Sequence, residues 1–436
     1  MSMTSLVRCS VLVVTCMGLV GCHSLLDVTD PTQITASDIA TVTGANGQRL
    51  LVSQSFGGDL AGVFREVAAF TDEWSYDFPP TANIANDRLI QLDKRRGDVI
   101  QAGNGSDNHL GLLTNIYSQA GIVIPAVTAY SPDSVRGEYL AQLYAMRGYA
   151  VLQMAEDLCP GFPVTDIINN ITVYGGPLST DSALGLASAQ LDSALKYVRD
   201  STRFVALARV TKGRVLLDRG KYDEAAAVVA SVPTDVVYRS EQDIRIIMST
   251  FYCATCTILS LGDHEGANGL PFVSAHDPRI PLRRLGPRRV NPSDTLYATT
   301  LGSSPSDRIT LASGVEARLI QAEVALHDNS ANWKPILDSL RTGIGLDTLV
   351  DPGTADSRLD LLYRERAFWL FLTGHRLGDL RRLIRNYGRG AETVFPTGAY
   401  PGGDGSRYGT STSIPFILAE QLRYNPYITS GCQDGP

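Results

Sequence analysis

The chain has 436 residues, a formal net charge of −7 at pH 7, 44% hydrophobic residues and 19% charged residues. A mildly acidic chain without a run of Lys or Arg has no electrostatic reason to bind nucleic acid or anionic lipid, so we exclude both partner classes. The composition is that of a globular protein, and no Pro/Ser-rich linker divides it, so we expect one large domain although the length would permit two or three.

The first thirty-odd residues are typical of a bacterial lipoprotein. Arg8 precedes an apolar run that ends at Val20 and is too short to span a bilayer, which takes roughly 20 apolar residues. A small residue, Gly21, precedes Cys22. We therefore predict a signal peptide over 1–21 and acylation of Cys22, whose acyl chains would contribute about 0.8 kcal/mol per buried methylene to membrane attachment. An ordinary secretory signal cut elsewhere and an uncleaved anchor are the alternatives. No later segment is expected to span a membrane.

Four cysteines follow Cys22, an even number outside the reducing cytosol, which predicts disulfides. The close spacing of Cys253 and Cys256 favours a local bridge, which would leave Cys159 to pair with Cys432. The other two connectivities stay open. A zinc site is the rival interpretation, but the chain has one CxxC pair and no second pair, so we expect no metal and no cofactor.

Helical periodicity dominates the middle and late parts of the chain. Apolar residues from Tyr139 to Met154 recur at every third or fourth position, the spacing of one buried helical stripe. Further helices are predicted over 182–198, 204–232, 315–326, 333–341, 361–372 and 377–384.

The segment 204–232 predicts two helices joined by a tight turn and resembles a tetratricopeptide repeat. Small residues would let the paired helices approach closely, and larger ones would fill the gap between them. The residues that carry this pattern are Gly213, Leu216, Gly220, Tyr222 and Ala225.

Four intervening segments are rich in Gly, Pro, Asn, Asp and Ser, which favour turns over regular elements. Loops this long inside a compact domain are usually functional, and their aromatic content indicates order, so we expect binding surfaces there. The segments are 74–109, 160–180, 262–310 and 386–415.

The leading ligand candidates follow one another in the first of these loops. Trp74, Tyr76 and Phe78 alternate with polar residues ahead of Pro79-Pro80, so we expect some of the three rings to be exposed. Exposed aromatic rings stack on sugar faces, and Asn83 and Arg88 could bond hydroxyl groups. Alternatively, these rings pack the loop on the helices or contact a partner. Tyr400 and Tyr408 flank a second candidate loop.

Catalysis is not predicted. The chain has no GxSxG, HExxH or GxxxxGK[ST] motif, and its adjacent acids carry no geometry for glycoside hydrolysis. Charged residues beside the last apolar helix are expected to pair with each other or with backbone carbonyls, because an unpaired buried charge costs several kcal/mol. They are Glu365, Arg366, His375, Arg376, Asp379, Arg381 and Arg382. Asp277-Pro278-Arg279 similarly predicts a turn with an ion pair.

Four patterns in chain order resemble the SusD/RagB family of outer-membrane lipoproteins, over nearly the whole mature chain. The patterns are Leu26-Asp27-Val28 with Pro31-Thr32-Gln33 after Cys22; Asp277-Pro278-Arg279; Tyr363-Arg364-Glu365-Arg366 with the block from Thr373 to Arg382; and Ile414-Pro415 with Glu420 and Asn425-Pro426.

The resemblance implies a mainly α fold, in which tetratricopeptide-like helix pairs pack against a loop-rich ligand-binding face. It implies one domain over 22–436, comprising a tether and first helix (22–50), a helical scaffold with long loops (51–310) and a C-terminal helical region (311–436). It also implies a lipid-anchored protein at the surface of the outer membrane that captures glycans for a SusC-like TonB-dependent transporter. In such relatives a ligand-contacting aromatic often lies near the N-terminus, which favours Trp74. The alternatives are a peptide-capturing member of the family, a tetratricopeptide scaffold lipoprotein and a secreted hydrolase.

Overall fold

The computed structural model describes residues 39–77, 88–97, 100, 108–169, 171–198, 202–241, 259–301, 308–402 and 405–432. The signal peptide, Cys22, Phe78, Asn83, Cys253 and Cys256 lie outside the described residues, so the predictions made for them stay predictions.

The fold is mainly α, as predicted. The helices are α1 (Val42–Phe70), α2 (Arg88–Asp93), α3 (Asn108–Tyr130), α4 (Asp133–Asp157), α5 (Thr180–Tyr197), α6 (Thr202–Asp218), α7 (Tyr222–Val229), α8 (Gly314–His327), α9 (Trp333–Thr342), α10 (Ala355–Trp369), α11 (Arg376–Tyr387), α12 (Ala391–Val394) and α13 (Leu418–Tyr424). The strands are β1 (Trp74–Tyr76), β2 (Asp166–Ile168), β3 (Ile171–Val173), β4 (Val237–Arg239), β5 (Leu259–Leu261), β6 (Leu282–Pro287), β7 (Thr295–Thr299) and β8 (Thr310–Ser313).

Short loops join α3 to α4, α6 to α7, α8 to α9 and α10 to α11, which confirms the predicted architecture of helix pairs. The turn between α6 and α7 contains Gly220 at φ +68°, a conformation that favours glycine. A Cβ on Gly213 would lie 2.7 Å from Val229 and 3.0 Å from Ile320. The absent side chain therefore lets α6 approach both α7 and α8, as the repeat-like pattern predicted.

Polar side chains mark where several helices begin. The hydroxyl oxygens of Thr41, Ser313 and Thr354 accept hydrogen bonds from backbone N–H groups three residues later, at 2.9, 3.1 and 3.2 Å. Such bonds satisfy donors that have no partner inside the helix. The chain reverses after α10 through Gly374, at φ +76°, where a Cβ would collide with Phe64 of α1.

Helix α3 has no counterpart among the predicted helices; it is rich in apolar residues and contains Pro125. Its residues His109–Tyr130 have the length and hydropathy of a membrane span, which corrects the expectation that no later segment does. Half of that segment is buried, and α3 packs between α1 and α4. Core helices of globular proteins also have this length and this apolar composition.

The strands pair two by two within the described residues: β1 with β5, β2 with β3, β4 with β8, and β6 with β7. Most of them fall in the predicted loops, which therefore contain short antiparallel ribbons as well as turns. The main hydrophobic core lies between the helices. A second, smaller core joins β1 and β5 to α10, with Phe272 packed against Phe368 and Phe371 at ring distances of 5.3 and 4.9 Å.

Cys159 and Cys432 form a disulfide, as predicted, with their Cα atoms 5.3 Å apart. Cys159 follows the end of α4, and its backbone N–H donates to the Ile414 carbonyl. The bridge thereby attaches the C-terminal segment to the middle of the helical scaffold.

Candidate functional site

The loop-rich face is formed by β1 with β5, the β6–β7 hairpin and the segments 262–281 and 396–411. It packs on α10 through the smaller core, in which Trp74 is 7% exposed and contacts the cluster of Phe272 and Phe371. The expectation of an exposed ring at Trp74 is therefore wrong, and the packing alternative holds for this residue. Its strand lies between β5 and the helices, where an indole ring excludes water from the core.

Tyr76 is also buried, at 5% exposure, and its backbone N–H donates to Asp93 at 2.7 Å. The guanidinium of Arg88 donates to Glu66 on α1 through two bonds of 3.2 Å, so Arg88 contacts the helical scaffold. Three of the five predicted ligand residues, Trp74, Tyr76 and Arg88, thus support the surrounding structure. The other two, Phe78 and Asn83, lie in the segment 78–87, outside the described residues.

Both ends of the segment 78–87 are held by charged groups. Before it, the Asp77 carboxylate accepts hydrogen bonds from the backbone N–H groups of Arg289 (2.9 and 3.0 Å) and Val290 (3.2 Å), and Arg288 lies 3.4 Å away. After it, Arg88 is paired with Glu66. The residues that flank the segment are therefore held in place, Asp77 on the loop-rich face and Arg88 on the helical scaffold.

The second candidate loop brings two tyrosines onto buried acids. The Tyr400 hydroxyl donates to Asp93 at 2.6 Å, and the Tyr408 hydroxyl donates to Glu265 at 3.0 Å. The two rings meet edge to face with centroids 5.4 Å apart. Neither ring is a platform for a sugar, because both are at least nine-tenths buried.

Burial, reinforced by the neighbouring Glu265, raises the pKa of Asp93 to about 7. Burial likewise raises the pKa of Glu265, against the opposing effect of Arg288. The two carboxyl groups are 1% and 3% exposed, so they brace the loops from below and do not face a substrate. No sequence pattern indicated Asp93, the last residue of α2, or Glu265, in the segment 262–281.

The charged block near the C-terminus is structural, as predicted. Arg376 donates to both oxygens of Asp72 at 2.6 and 2.8 Å, and Arg366 donates to both oxygens of Asp379 at 2.8 Å. Arg381 donates to the backbone carbonyls of Ala155 and Glu156 in the last turn of α4 and to that of Leu158, which follows the helix. His375 lies beside Glu316 at 3.0 Å and beside the Thr373 carbonyl.

The predicted turn at Asp277-Pro278-Arg279 is also confirmed. The Arg279 guanidinium donates to both Asp277 oxygens, at 2.8 and 2.7 Å, and extends to Glu365 on α10. These bonds attach the loop-rich face to the helical scaffold.

The acids that are adjacent in sequence contact different partners. Asp72 pairs with Arg376, whereas Glu73 accepts from the Leu372 N–H at 2.9 Å, and burial raises the pKa of Glu73 to about 8. Glu156 contacts Arg214 and is fully buried. Among the described residues, no group of three or more His, Cys, Asp or Glu side chains could hold a metal ion. Two open pockets, of about 740 and 620 Å³, lie against the helices. One is beside Phe204 and the other beside Trp333.

No family model matches the sequence, and no curated protein matches it. Solved structures do match. A SusD superfamily protein from Bacteroides vulgatus has a TM-score of 0.64 at 14% identity, over 91% of this chain and 99% of that one. A SusD-like carbohydrate binding protein from the same species has a TM-score of 0.58 at 13% identity, over 78% and 83%. Surface glycan-binding protein A from Bacteroides uniformis has a TM-score of 0.63 at 12% identity, over 90% and 99%. The chain has the SusD-like fold, which confirms the resemblance at the level of the fold.

Proposed function

We propose that the protein is a lipid-anchored, glycan-binding subunit of the outer membrane that passes its ligand to a SusC-like TonB-dependent transporter. The supporting observation is the SusD-like fold, which this chain shares over 78% of its length with a protein described as carbohydrate binding and over 90% with one described as surface glycan-binding. Fold does not by itself determine function, so the binding of a glycan must be tested directly. The anchor at Cys22 and the signal peptide over 1–21 belong to the same proposal, as does the single domain over 22–436.

We place the glycan on the loop-rich face, at the segment 78–87. Phe78 would supply the stacking ring and Asn83 a hydroxyl partner, while Trp74, Tyr76 and Arg88 hold the surrounding structure. The support for this placement is that Asp77 and Arg88 anchor both ends of the segment. A segment whose two flanking residues are held in place loses less entropy when it binds, which favours recognition there.

Binding without turnover is part of the proposal. Two acids beneath the described face are buried and engaged, Asp93 with Tyr400 and Glu265 with Tyr408. A glycosidase needs two carboxyl groups that flank the scissile bond, and these two are 1% and 3% exposed.

The ligand class is tested by incubating the acylated full-length protein with a glycan panel and a panel of oligopeptides. We expect saturable retention of at least one glycan, no retention of peptides and no shortened products. Retention of peptides alone would favour the peptide-capturing alternative. Products without retention would favour the hydrolase and contradict the proposal. Phe78→Ala should weaken retention, and Phe272→Leu, in the smaller core, is the matched control that changes an aromatic residue away from the segment.

The partner is tested by detergent pull-down through the Cys22-anchored protein. Recovery of a large TonB-dependent barrel would support the pairing. Recovery of several envelope proteins without such a barrel would favour the tetratricopeptide scaffold. Cys22→Ser should abolish membrane attachment, which tests the anchor separately.

A further inference from the structure

We infer that the open pocket beside Trp333, of about 620 Å³, is a second saccharide site, which takes a neutral sugar unit. The pocket lies at the junction of two helix pairs. The α8–α9 loop and the first turn of α9 form one side, and the start of α10 and the end of α11 form the other. This site is additional to the one proposed at the segment 78–87, so either can exist without the other.

The pocket and the loop-rich face lie at opposite ends of α10. Leu359, near the start of α10, lines the pocket, whereas Phe368, in its last turn, belongs to the smaller core under the loop-rich face. Nine residues of α-helix separate the two positions by about 14 Å along the helix axis. A sugar unit in the pocket is therefore bound by the helical scaffold and not by the loop-rich face.

The floor of the pocket contains a buried indole with an unused donor. Trp333 is 4% exposed and packs in the main core. Within the described residues no group accepts a hydrogen bond from its indole N–H, and this nitrogen is not fully enclosed by protein atoms. A buried indole N–H ordinarily has an acceptor. Because Trp333 lines the pocket, an oxygen atom of a ligand there would supply one.

Polar groups at the mouth of the pocket provide both donors and acceptors. The side-chain amide of Asn329 bonds to no described residue. The Ser330 hydroxyl accepts from the Asn332 N–H at 3.3 Å and donates to no described residue. The carboxylates of Asp351 and Asp356 have lone pairs beyond those that arginine uses. Sugar hydroxyls both donate and accept, so they match this mixture of groups.

The charges of the lining cancel one another. With His327 neutral, the lining has two cationic and two anionic side chains, which are Lys334, Arg358, Asp351 and Asp356. Arg358 donates to both oxygens of Asp351 at 2.7 and 2.8 Å, and Lys334 pairs with Asp338. Asp356 lies 3.4 Å from an arginine that follows α11. A charged ligand would have to compete with these ion pairs, whereas a neutral ligand would not.

The walls are held in place by contacts outside the pocket. The Tyr387 hydroxyl donates to Glu323 at 3.2 Å, and its ring meets Tyr363 edge to face at 6.0 Å. The His327 ring stacks on Tyr222 with centroids 3.7 Å apart. Side chains that are fixed beforehand lose little entropy on binding. The volume also lies within the range of about 300 to 1,000 Å³ that small-ligand pockets have.

These properties select a saccharide among small neutral ligands. An apolar ligand would leave the Trp333 N–H and the Asn329 amide without partners, which costs binding free energy. A sugar unit has an apolar C–H face for the aromatic walls and several hydroxyls for the polar mouth. It carries no charge, so the affinity should be nearly independent of salt.

The test uses the full-length protein with Phe78→Ala, which removes the ring proposed for the other site. Titration calorimetry measures binding of neutral hexamers (laminarihexaose, cellohexaose, xylohexaose and mannohexaose), of hexagalacturonate and of end-capped pentaalanine. We expect saturable binding of at least one neutral hexamer, at least tenfold tighter than that of hexagalacturonate or of the peptide. Raising the salt from about 0.01 to 0.15 M should change this affinity less than twofold.

Filling the pocket should abolish most of this binding. Ala331→Leu/Ala355→Leu adds two branched side chains at exposed positions that line the pocket, and should weaken binding at least tenfold. The matched control Ala129→Leu/Ala227→Leu adds the same volume at exposed helical positions outside the pocket. It should change the affinity less than twofold.

Removing the indole donor gives a second measure. Trp333→Phe keeps an aromatic ring in the core and should weaken binding roughly two- to tenfold, the effect of one neutral hydrogen bond. Trp369→Phe is the control, because the Trp369 N–H is fully enclosed and has no partner among the described residues. Its affinity should be unchanged. Thermal unfolding of each variant shows that binding is compared between folded proteins.

Each result separates the two proposals. Equal affinity in the pocket-filling variant and its control would overturn the inference, as would tighter binding of hexagalacturonate or of the capped peptide. If the parent protein binds a glycan and the Phe78→Ala protein binds none, the inference fails while the proposed function stands. If Phe78→Ala changes nothing and the pocket variants lose binding, the placement at segment 78–87 fails instead. If neither protein binds a glycan, both fail.

Discussion

The buried network of the helical scaffold and the exposed surface of the loop-rich face use arginine in opposite ways. In the scaffold, Arg366 and Arg382 are at most 1% exposed and donate to Asp379 and Glu323. On the face, Arg283 and Arg289 are exposed and form no ion pair in the described residues. A buried charge is stable only with its partners, whereas an exposed one keeps its hydration and stays available to a ligand. Position, and not residue type, separates the buried structural arginines from the exposed ones.

The scaffold network connects helices that are distant in sequence. Arg382 on α11 donates to Glu323 on α8 at 2.8 and 3.1 Å and to Asp218 on α6 at 3.0 Å. Tyr363 on α10 donates to the same Glu323 at 2.9 Å. Side chains from four helices therefore meet at one set of charges, and these contacts fix how the four helices pack together.

Replacing Arg382 with Ala should produce the largest effect. It leaves Glu323 and Asp218 buried without their main cation, which costs about 3 to 5 kcal/mol of unfolding free energy. Urea unfolding followed by circular dichroism measures the loss. Arg283→Ala is the matched control from the loop-rich face. A loss below about 1 kcal/mol for Arg382→Ala would contradict the contrast between the two regions.

Trp74→Ala should cost about 3 kcal/mol, because it opens a cavity in the smaller core between β1 and α10. Glycan affinity measured below the melting temperature should change less than twofold, since the indole is buried. Trp74→Phe, which retains most of the ring volume, should recover much of the stability. Loss of affinity with unchanged stability would restore Trp74 as a ligand contact.

Stability should fall as the pH rises, because His109 is buried in the scaffold between Glu66 (3.1 Å) and Asp157 (2.9 Å). Burial opposes its charge, but hydrogen bonds to Asp157 and Glu66 outweigh that effect and raise its pKa to about 9. Because this pKa lies above the ordinary value of about 6.5, protonated His109 contributes fully to the free energy of unfolding below about pH 6.5. That contribution, up to about 3 kcal/mol, is lost as the pH rises from about 6.5 to 9.

Urea unfolding at pH 6 to 9 measures this dependence. The raised pKa values of Glu73, about 8, and Asp93, about 7, act in the same direction, because both groups hold a proton in the folded state. His109→Gln should flatten the slope between pH 7 and 9, while His276→Asn, at an exposed position, should leave it unchanged. An unchanged slope in His109→Gln would contradict the role of this contact.

The triple variant Arg283→Ala/Arg284→Ala/Arg289→Ala should have the smallest effect on stability, within about 0.5 kcal/mol per site, because the side chains contact solvent. Thermal unfolding measures it. A decrease of several kcal/mol would show that these arginines support the fold, and the proposed contrast would then disappear.

Several features were predictable because their signals are local. The helical stripe from Tyr139 to Met154 lies within α4, and the tight turn at Gly220 separates α6 from α7. The pairing of Cys159 with Cys432 followed from the short spacing of the other two cysteines and is present. Helix α3 was missed although its apolar residues from Leu110 to Val127 recur at every third or fourth position, the spacing of a buried helical stripe.

The candidate site was less predictable. Trp74 and Tyr76 have the composition of a sugar-binding loop, but both are buried: β5 pairs with their strand, and Trp74 also packs in the smaller core beside α10. Asp93 and Glu265 belong to no motif of the sequence and acquire their environment from Tyr400 and Tyr408, more than 100 residues away in each case. Burial depends on such long-range contacts, so residue type at these positions could not decide it.

The sequence alone determined the mainly α character, the helix pairs, the Asp277-Pro278-Arg279 ion pair and the structural nature of the block from Thr373 to Arg382. These follow from periodicity, turn chemistry and the cost of unpaired buried charge, which act locally or at any buried site. Only the tertiary structure decided which aromatic rings are buried and which arginines remain unpaired. Those properties depend on what packs against each side chain from distant parts of the chain.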